Sequence, residues 1–310
     1  MTVHSSIGAS SMERWASCPG SVRLSEGLPS YSSINAATGT VAHEITTECL
    51  EKNKSPLDYL AKRYTVDGHD VEVDEELVEA ISICVMAIRN EMNQYPDRPV
   101  AYHEQKFNLS ALHPGLFGTA DCVLYWPERK LLAVYDYKFG SGVGVEVTGN
   151  PQLRYYGLGA LLSLSLPVDK IELTIIQPRY QHPDGYIRSE TLDAVDLLEF
   201  QADLLDAVAR VEDPNAPLVP GEHCRWCKAA GICPELRGKA QAVAKSEFAQ
   251  AVVTDSVARP YDPKELKDAL DSVELMETVA SAIRSFAHNE AVAGTLPADV
   301  GYKLVQKRAT

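Results

Sequence analysis

Apolar positions recur with two periods along the chain, and each change of period predicts where helix gives way to strand. Leu77, Ile81, Val85 and Ile88 fall three or four residues apart, so residues 74–94 are predicted to form a helix with one buried face. Residues 40–50 read as a second helix, carrying His43 and Glu44, and a short helical stretch is expected around 11–24. From residue 100 the texture changes. Segments 100–107, 118–125 and 131–138 are rich in β-branched and aromatic residues and predict three successive strands, the last two separated by the turn-like Pro127-Glu128-Arg129.

Asn150 is a good N-cap with Pro151 at the first helical position, which predicts a helix to about residue 164. A strand follows over 171–177, with 186–190 as its pairing partner, then a helix over 193–211 and a Pro-rich connector over 213–220. Asp262, Pro263 and Glu265 form a predicted capping box that opens a helix to about 291, and 301–305 reads as a strand. Strands joined by a helical crossover, with helices on both sides, imply an α/β fold. The expected divisions are an N-terminal helical region (1–99), a core (100–212), a cysteine region (213–240) and a helical extension (241–310).

The polar residues that break the strand pattern carry the candidate chemistry. Alternation along 131–138 puts Asp136 and Lys138 on one strand face, after an apolar run, where a carboxylate and an ammonium must be paired, solvated or bound to a ligand. Asp121, on the preceding strand, is placed to supply a second carboxylate. Two carboxylates at one point suit a hard divalent cation, Mg²⁺ or Mn²⁺, and His43 offers an imidazole better matched to Mn²⁺. Asp-x-Lys alone recurs by chance. It gains specificity from Gly118-Thr119-Ala120-Asp121 upstream and from Gln152 and Tyr156, four apart on the following helix.

Composition qualifies this reading at two points. The net charge is −14, which argues against a protein that coats DNA non-specifically and counts against a DNA enzyme, although divalent cations and a few local Arg and Lys can neutralise the contacted phosphates. No apolar run approaches the length of a membrane span and the N-terminus lacks a signal-peptide pattern, so no membrane partner and a cytoplasmic location are expected. The odd count of seven cysteines argues against a disulfide framework. Cys49, Cys84 and Cys122 sit in apolar helix or strand patterns and read as core. Cys224, Cys227 and Cys233 are closely spaced, and Cys18 lies about two hundred residues upstream. Their spacing is compatible with a zinc site completed by Cys18 or His223, or with a four-thiolate iron–sulfur cluster. Arg225, Trp226 and Lys228, between the thiols, would either present charge and a stacking ring to a DNA strand or pack over the metal.

Taken together, these motifs resemble the RecB-type branch of the PD-(D/E)xK nucleases, which includes CRISPR-adaptation nucleases, and more closely a phage-associated group of small proteins with that core. The segments Ser10-Ser11-Met12-Glu13-Arg14-Trp15-Ala16-Ser17-Cys18-Pro19-Gly20-Ser21 and Gly39-Thr40-Val41-Ala42-His43-Glu44 carry the closer likeness, which spans about residues 8 to 236. The resemblance implies a restriction-endonuclease-like core, a mixed central sheet flanked by helices, with N- and C-terminal segments joined by a four-cysteine cluster. It implies metal ligation by His43, Asp121, Asp136 and the Tyr137 carbonyl, a catalytic Lys138, and Gln152 and Tyr156 along the site against DNA. Glu104 falls where many members carry an acidic residue on the first core strand. The resemblance further implies a [4Fe–4S] cluster on Cys18, Cys224, Cys227 and Cys233, with zinc as the alternative. The expected activity is a metal-dependent DNA exonuclease in phage or bacterial recombination, acting on single-stranded or duplex ends with a helicase or strand-annealing protein as partner. A catalytically silent DNA-end or recombination module and a zinc-stabilised interaction adaptor are the alternatives.

Overall fold

The structure is a computed structural model that describes residues 5–250 and 263–305. In chain order its main elements are α1 (Met12–Ser17), α2 (Gly20–Leu24), α3 (Ile34–Glu51), β1 (Arg63–Val66), β2 (His69–Glu72), α4 (Glu75–Met92), β3 (Val100–Asn108) and β4 (Phe117–Trp126). They continue with β5 (Leu131–Tyr137), α5 (Pro151–Leu164), β6 (Lys170–Ile176), β7 (Ile187–Asp193), α6 (Ala194–Glu212), α7 (Pro234–Gln250) and α8 (Pro263–Ala293). The chain divides into two compact units, one made of residues 1–12 and 32–209, the other of 13–31 and 210–310.

The first unit is an α/β fold around a five-stranded sheet in sequential order, β3-β4-β5-β6-β7. Only β5 and β6 run parallel; the other pairs are antiparallel. A parallel pair needs a crossover, and α5 supplies it. Its start is fixed as the sequence predicts, with the Asn150 side chain accepting the Leu153 N–H and Pro151 at the first turn. Gly159 lets this helix come close to the sheet: a Cβ there would lie 2.5 Å from the Phe107 ring. On the other sheet face, Cys122, Leu124, Trp126, Ala133, Tyr135 and Tyr137 pack under α3 and α4, in one core with Val41, Ile45, Ile81, Cys84 and Ile88. Each fully buried Ile there is worth about 1.5–3 kcal/mol of burial. Cys49, Cys84 and Cys122 are buried in that core as expected.

One register detail creates the site. The β4–β5 ladder runs from Trp126 opposite Leu131 to Cys122 opposite Tyr135 and then stops. One step further, Asp121 would face Asp136. The strands part there instead, while β5 continues to pair with β6 through Tyr137 and the Lys138 N–H reaches the Ile176 carbonyl.

Several segments depart from the sequence reading. Residues 301–305 are irregular rather than a strand; Gly301, in the left-handed region, closes a short turn instead. The expected helical stretch around 11–24 is two helices broken at Cys18-Pro19. The capping box on Asp262 lies outside the described residues. The β1–β2 hairpin and α7 are not among the elements that the sequence pattern predicts. The hairpin turns on Asp67-Gly68, both at positive φ, the pairing that a two-residue turn of this hand requires.

In the second unit, α2 and residues 214–219 run close together although about two hundred residues separate them. The Gly20 N–H donates to the Pro217 carbonyl at 2.9 Å, Arg23 bonds the Pro214 carbonyl, and Arg210 bonds the Ala16 carbonyl at 3.1 Å. Leu275, Val279 and Ala282 of α8 pack on the cysteine segment.

Candidate functional site

The parted ends of β4 and β5 bring Asp121, Asp136 and Lys138 together, and α3 and α5 complete the site from either side of the sheet. Asp121 takes over the role the missing ladder would have had: its Oδ2 accepts the Tyr137 N–H at 2.7 Å. Its Oδ1 lies 3.3 Å from His43 Nδ1. His43 is held by ring contacts with Tyr137 and Phe139, at centroid distances of 5.9 and 5.3 Å. Strand geometry turns the Tyr137 carbonyl toward the same edge as its N–H, beside Asp121.

Asp136 is almost fully buried. Its Oδ2 is 2.8 Å from Lys138 Nζ, and its Oδ1 accepts from Gln152 Nε2 at 3.2 Å. Gln152 also accepts from Lys138 Nζ at 2.9 Å and donates to the Tyr156 hydroxyl at 2.9 Å. Both ends of its amide are thus spent on ordering Asp136, Lys138 and Tyr156. This makes Gln152 a positioning residue. Asp136 Oδ2 is left without a well-directed hydrogen bond despite the nearby ammonium.

Glu104 completes a cluster: ligand atoms of His43, Glu104 and Asp121 all lie within 4.8 Å of one another. It does so from an unusual backbone. Glu104 has φ of 48° in the middle of β3, although the flanking pairs His103–Cys122 and Gln105–Ala120 keep an unbroken register. A non-glycine residue held there costs of order 1–3 kcal/mol, a strain that clusters at functional sites.

The electrostatics are those of a crowded acidic site. Burial pushes the Asp136 carboxyl up, the Lys138 ammonium pulls it down, and the Asp121 charge adds to the rise, which prevails. Glu104 is raised by burial and by Asp121. Burial lowers the His43 imidazole, but Asp121, Asp136 and Glu104 outweigh it and hold it above its ordinary value. Burial, with Asp136 and Asp121, keeps Tyr156 a protonated phenol. Converging carboxylates, one imidazole and an undirected Asp136 Oδ2 are a donor set that fits a hard divalent cation.

The other candidate cluster lies wholly within the second unit. Cys18, Cys224, Cys227 and Cys233 line one pocket with Ser21, Leu24, Leu218 and His223. Backbone amides point at two of the sulfurs, Val219 N at 3.2 Å from Cys18 Sγ and Gly221 N at 3.4 Å from Cys224 Sγ. Donors of this kind stabilise thiolates and tune metal–sulfur sites. His223 Nε2 is committed to the Val219 carbonyl at 2.9 Å. Among the described residues, no three of the sulfurs lie within 4.8 Å of one another.

A family model described as "Protein of unknown function (DUF2800)" matches residues 4–310. The chain belongs to that family. A solved structure titled "Crystal structure of SSO0001" is similar at 16% identity, with a TM-score of 0.32, covering 76% of this chain and 88% of that one. At that score the likeness carries no argument about fold or activity.

In this DUF2800 chain the structure therefore draws His43, Asp121, Asp136, Tyr137, Lys138, Gln152 and Tyr156 into one site and adds Glu104 to it. It gathers the four cysteines around a separate pocket. Trp226 is 69% exposed and does not line that pocket, Arg225 is paired with Glu274 at 2.5 Å, and Lys228 donates to the Leu28 carbonyl. Among the described residues no helix is long and apolar enough to cross a membrane.

Proposed function

We propose that this DUF2800 chain is a divalent-metal-dependent DNA nuclease with a PD-(D/E)xK, restriction-endonuclease-like core, acting as an exonuclease at DNA ends in phage or bacterial recombination. The observation that carries the reading is the convergence of Asp121, Asp136 and Lys138 where β4 and β5 part, with His43 brought in from α3. A structural ion pair would need Asp136 and Lys138 alone. It would not need a second carboxylate beside them, a third on a strained backbone, and an amide that fixes both partners.

His43, Glu104, Asp121, Asp136 and the Tyr137 carbonyl would hold Mg²⁺ or Mn²⁺, which supplies polarisation of a phosphoryl oxygen and a lower pKa for a water. Lys138, fixed by Gln152, sets a positive charge where negative charge builds up on the phosphate in the transition state. Tyr156 remains a proton donor, because its oxygen accepts from Gln152 while its own O–H is free to turn toward a phosphate or leaving oxygen.

The four cysteines would hold a metal–sulfur group as a structural tie between residues 13–31 and the segment after 210. A tetrahedral zinc site, with bonds of about 2.3 Å, sets its sulfurs about 3.8 Å apart. A [4Fe–4S] cluster, in which each thiolate sits on a different iron, is the group the family resemblance implies, with zinc as the alternative.

The test is digestion of end-labelled single- and double-stranded DNA by the full chain with Mg²⁺, with Mn²⁺ and with EDTA. Metal-dependent product ladders are expected from the wild type and none from Lys138→Ala, whose side chain is partly exposed and bears no core packing. Equal cleavage by Lys138→Ala sinks the assignment.

A further inference from the structure

The segment that follows Lys138, Phe139-Gly140-Ser141-Gly142-Val143-Gly144, enters the site described above only through the Phe139 ring against His43. It is neither loose nor buried. Its carbonyls face inward, onto two buried polar side chains, Gln177 just after β6 and Arg188 of β7. Gln177 donates to the Gly140 and Val143 carbonyls at 3.3 and 2.7 Å and accepts the Val145 N–H at 3.1 Å. Arg188, buried at the end of β7, donates to the Val145 carbonyl at 2.9 Å and to Gln177 at 3.0 Å. Arg179 reaches the Phe139 carbonyl at 3.4 Å.

The amides are left over. Among the described residues none of the N–H groups of residues 139–144 has a hydrogen-bond partner. Residues 140–143 are exposed. The loop therefore presents a row of backbone donors to solvent, with two guanidinium groups on its carbonyl side, that of Arg188 and that of Arg179, which is paired with Glu76 at 2.7 Å. Among the described residues no carboxylate lies within ion-pair distance of Arg188, although the charges of Glu146 and Asp184 act on it. Successive solvent-facing amides are the makings of an anion site.

The glycines supply a second, independent observation. Gly144 has a packing reason, since a Cβ there would fall 2.6 Å from the Tyr180 ring. Gly140 and Gly142 have none: neither is at positive φ, and a Cβ on either would meet nothing within 4 Å. Gly39 and Gly238 are equally open, but they lie inside helices, where the amides are used up. At 140 and 142 the fold does not require glycine. Glycine at such a position leaves the backbone open to close approach from outside the chain.

We propose that residues 139–144 cradle a phosphate of the nucleic-acid backbone, holding the strand beside Lys138. This deepens the nuclease reading and rests on it for the identity of the phosphate-bearing ligand. It also answers the charge objection, because backbone amides bind a phosphate without adding to the net charge of the chain.

The test has two arms, both on the full chain in EDTA. In the first, inorganic phosphate is titrated into ¹⁵N-labelled wild type, and saturable shifts are expected at the Gly140 and Gly142 amides. In the second, binding of a fluorescein-labelled single-stranded DNA oligonucleotide is measured by anisotropy for wild type and Gly140→Ala/Gly142→Ala. The variant is expected to bind at least about fivefold more weakly, on the scale of one lost charge-assisted hydrogen bond, with an unchanged Tm. Unmoved glycine amides, or wild-type affinity in the double variant, overturns the cradle. The first arm needs no variant and so stands even if the second protein folds poorly. Glycine shifts without cleavage by the wild type would leave the cradle and remove the nuclease. Cleavage without glycine shifts would do the reverse.

Discussion

Asp136→Asn should make the metal-free protein more stable while abolishing its cleavage of DNA. The carboxylate is nearly out of contact with water, and removing such a charge from solvent costs several kcal/mol. Lys138 at 2.8 Å returns about 6 kcal/mol at an effective dielectric of about 20. Asp121, one register step across, then adds repulsion. The balance is visible in the direction of the Asp136 titration, which lies above the ordinary carboxylate value because burial and Asp121 together outweigh the lysine. A neutral isostere escapes both costs. Lys138 keeps its hydrogen bond to Gln152 and is still 24% exposed, so it is not stranded. A gain of about 1 kcal/mol is expected, or about 2 °C in Tm for a chain of this size.

The sign of the pH dependence follows from the raised value. The wild-type native state is unburdened below about pH 3.8, where Asp136 is protonated whether folded or not, and loses stability as pH rises through the folded-state pKa. The advantage of Asn should therefore be small at pH 4 and larger at pH 7.5. Thermal denaturation in EDTA at both values, with end-labelled DNA digestion in parallel, measures it. A variant clearly less stable than wild type at pH 7.5, or an advantage that grows toward pH 4, would refute the reasoning.

Calorimetric titration with Mn²⁺ should show weaker binding for Asp121→Asn and a smaller loss for His43→Ala, since the first removes a charged ligand; unchanged affinity in both would place the metal elsewhere. Anaerobically purified protein should be brown, and Cys18→Ser should bleach it, while Cys84→Ser, buried in the core of the other unit, should cost modest stability and leave iron content intact. Colourless protein holding one zinc would refute the iron–sulfur assignment but keep the tie. Gly20→Ala should destabilise by about 1–3 kcal/mol and lower iron content, because its Cβ would sit 2.6 Å from the Ala216 carbonyl oxygen and 2.8 Å from that of Pro217; a wild-type melting curve would show that residues 18–20 and 216–217 are not in fact close.

What could be read from the sequence was what depends on local period. Alternation put Asp136 and Lys138 on one face, and the Asn150-Pro151 start fixed where α5 begins, which in turn fixes Gln152 over them. The β1–β2 hairpin is equally local, but its turn signal, Asp67-Gly68, lies between runs too short to stand out as strands. The segment at 301–305 failed the other way, its β-like residues having no strand beside them among the described residues to pair with.

Glu104 marks the limit of this kind of reading. Nothing in the local sequence announces a left-handed residue in mid-strand, and on propensity alone glutamate at that φ is unfavourable. The conformation exists because the pairs on either side hold the register, so the backbone between them has nowhere else to put the strain. The same tertiary constraint turns the carboxylate to His43 and Asp121 rather than along the strand. Similar logic separates the glycines. Gly20, Gly144 and Gly159 look alike in sequence to Gly140 and Gly142, yet only the first three are explained by what a Cβ would strike within the chain. Where the fold accounts for a costly or featureless residue, that residue reports on packing. Where it does not, as at Gly140 and Gly142, the cause we propose is what the site binds.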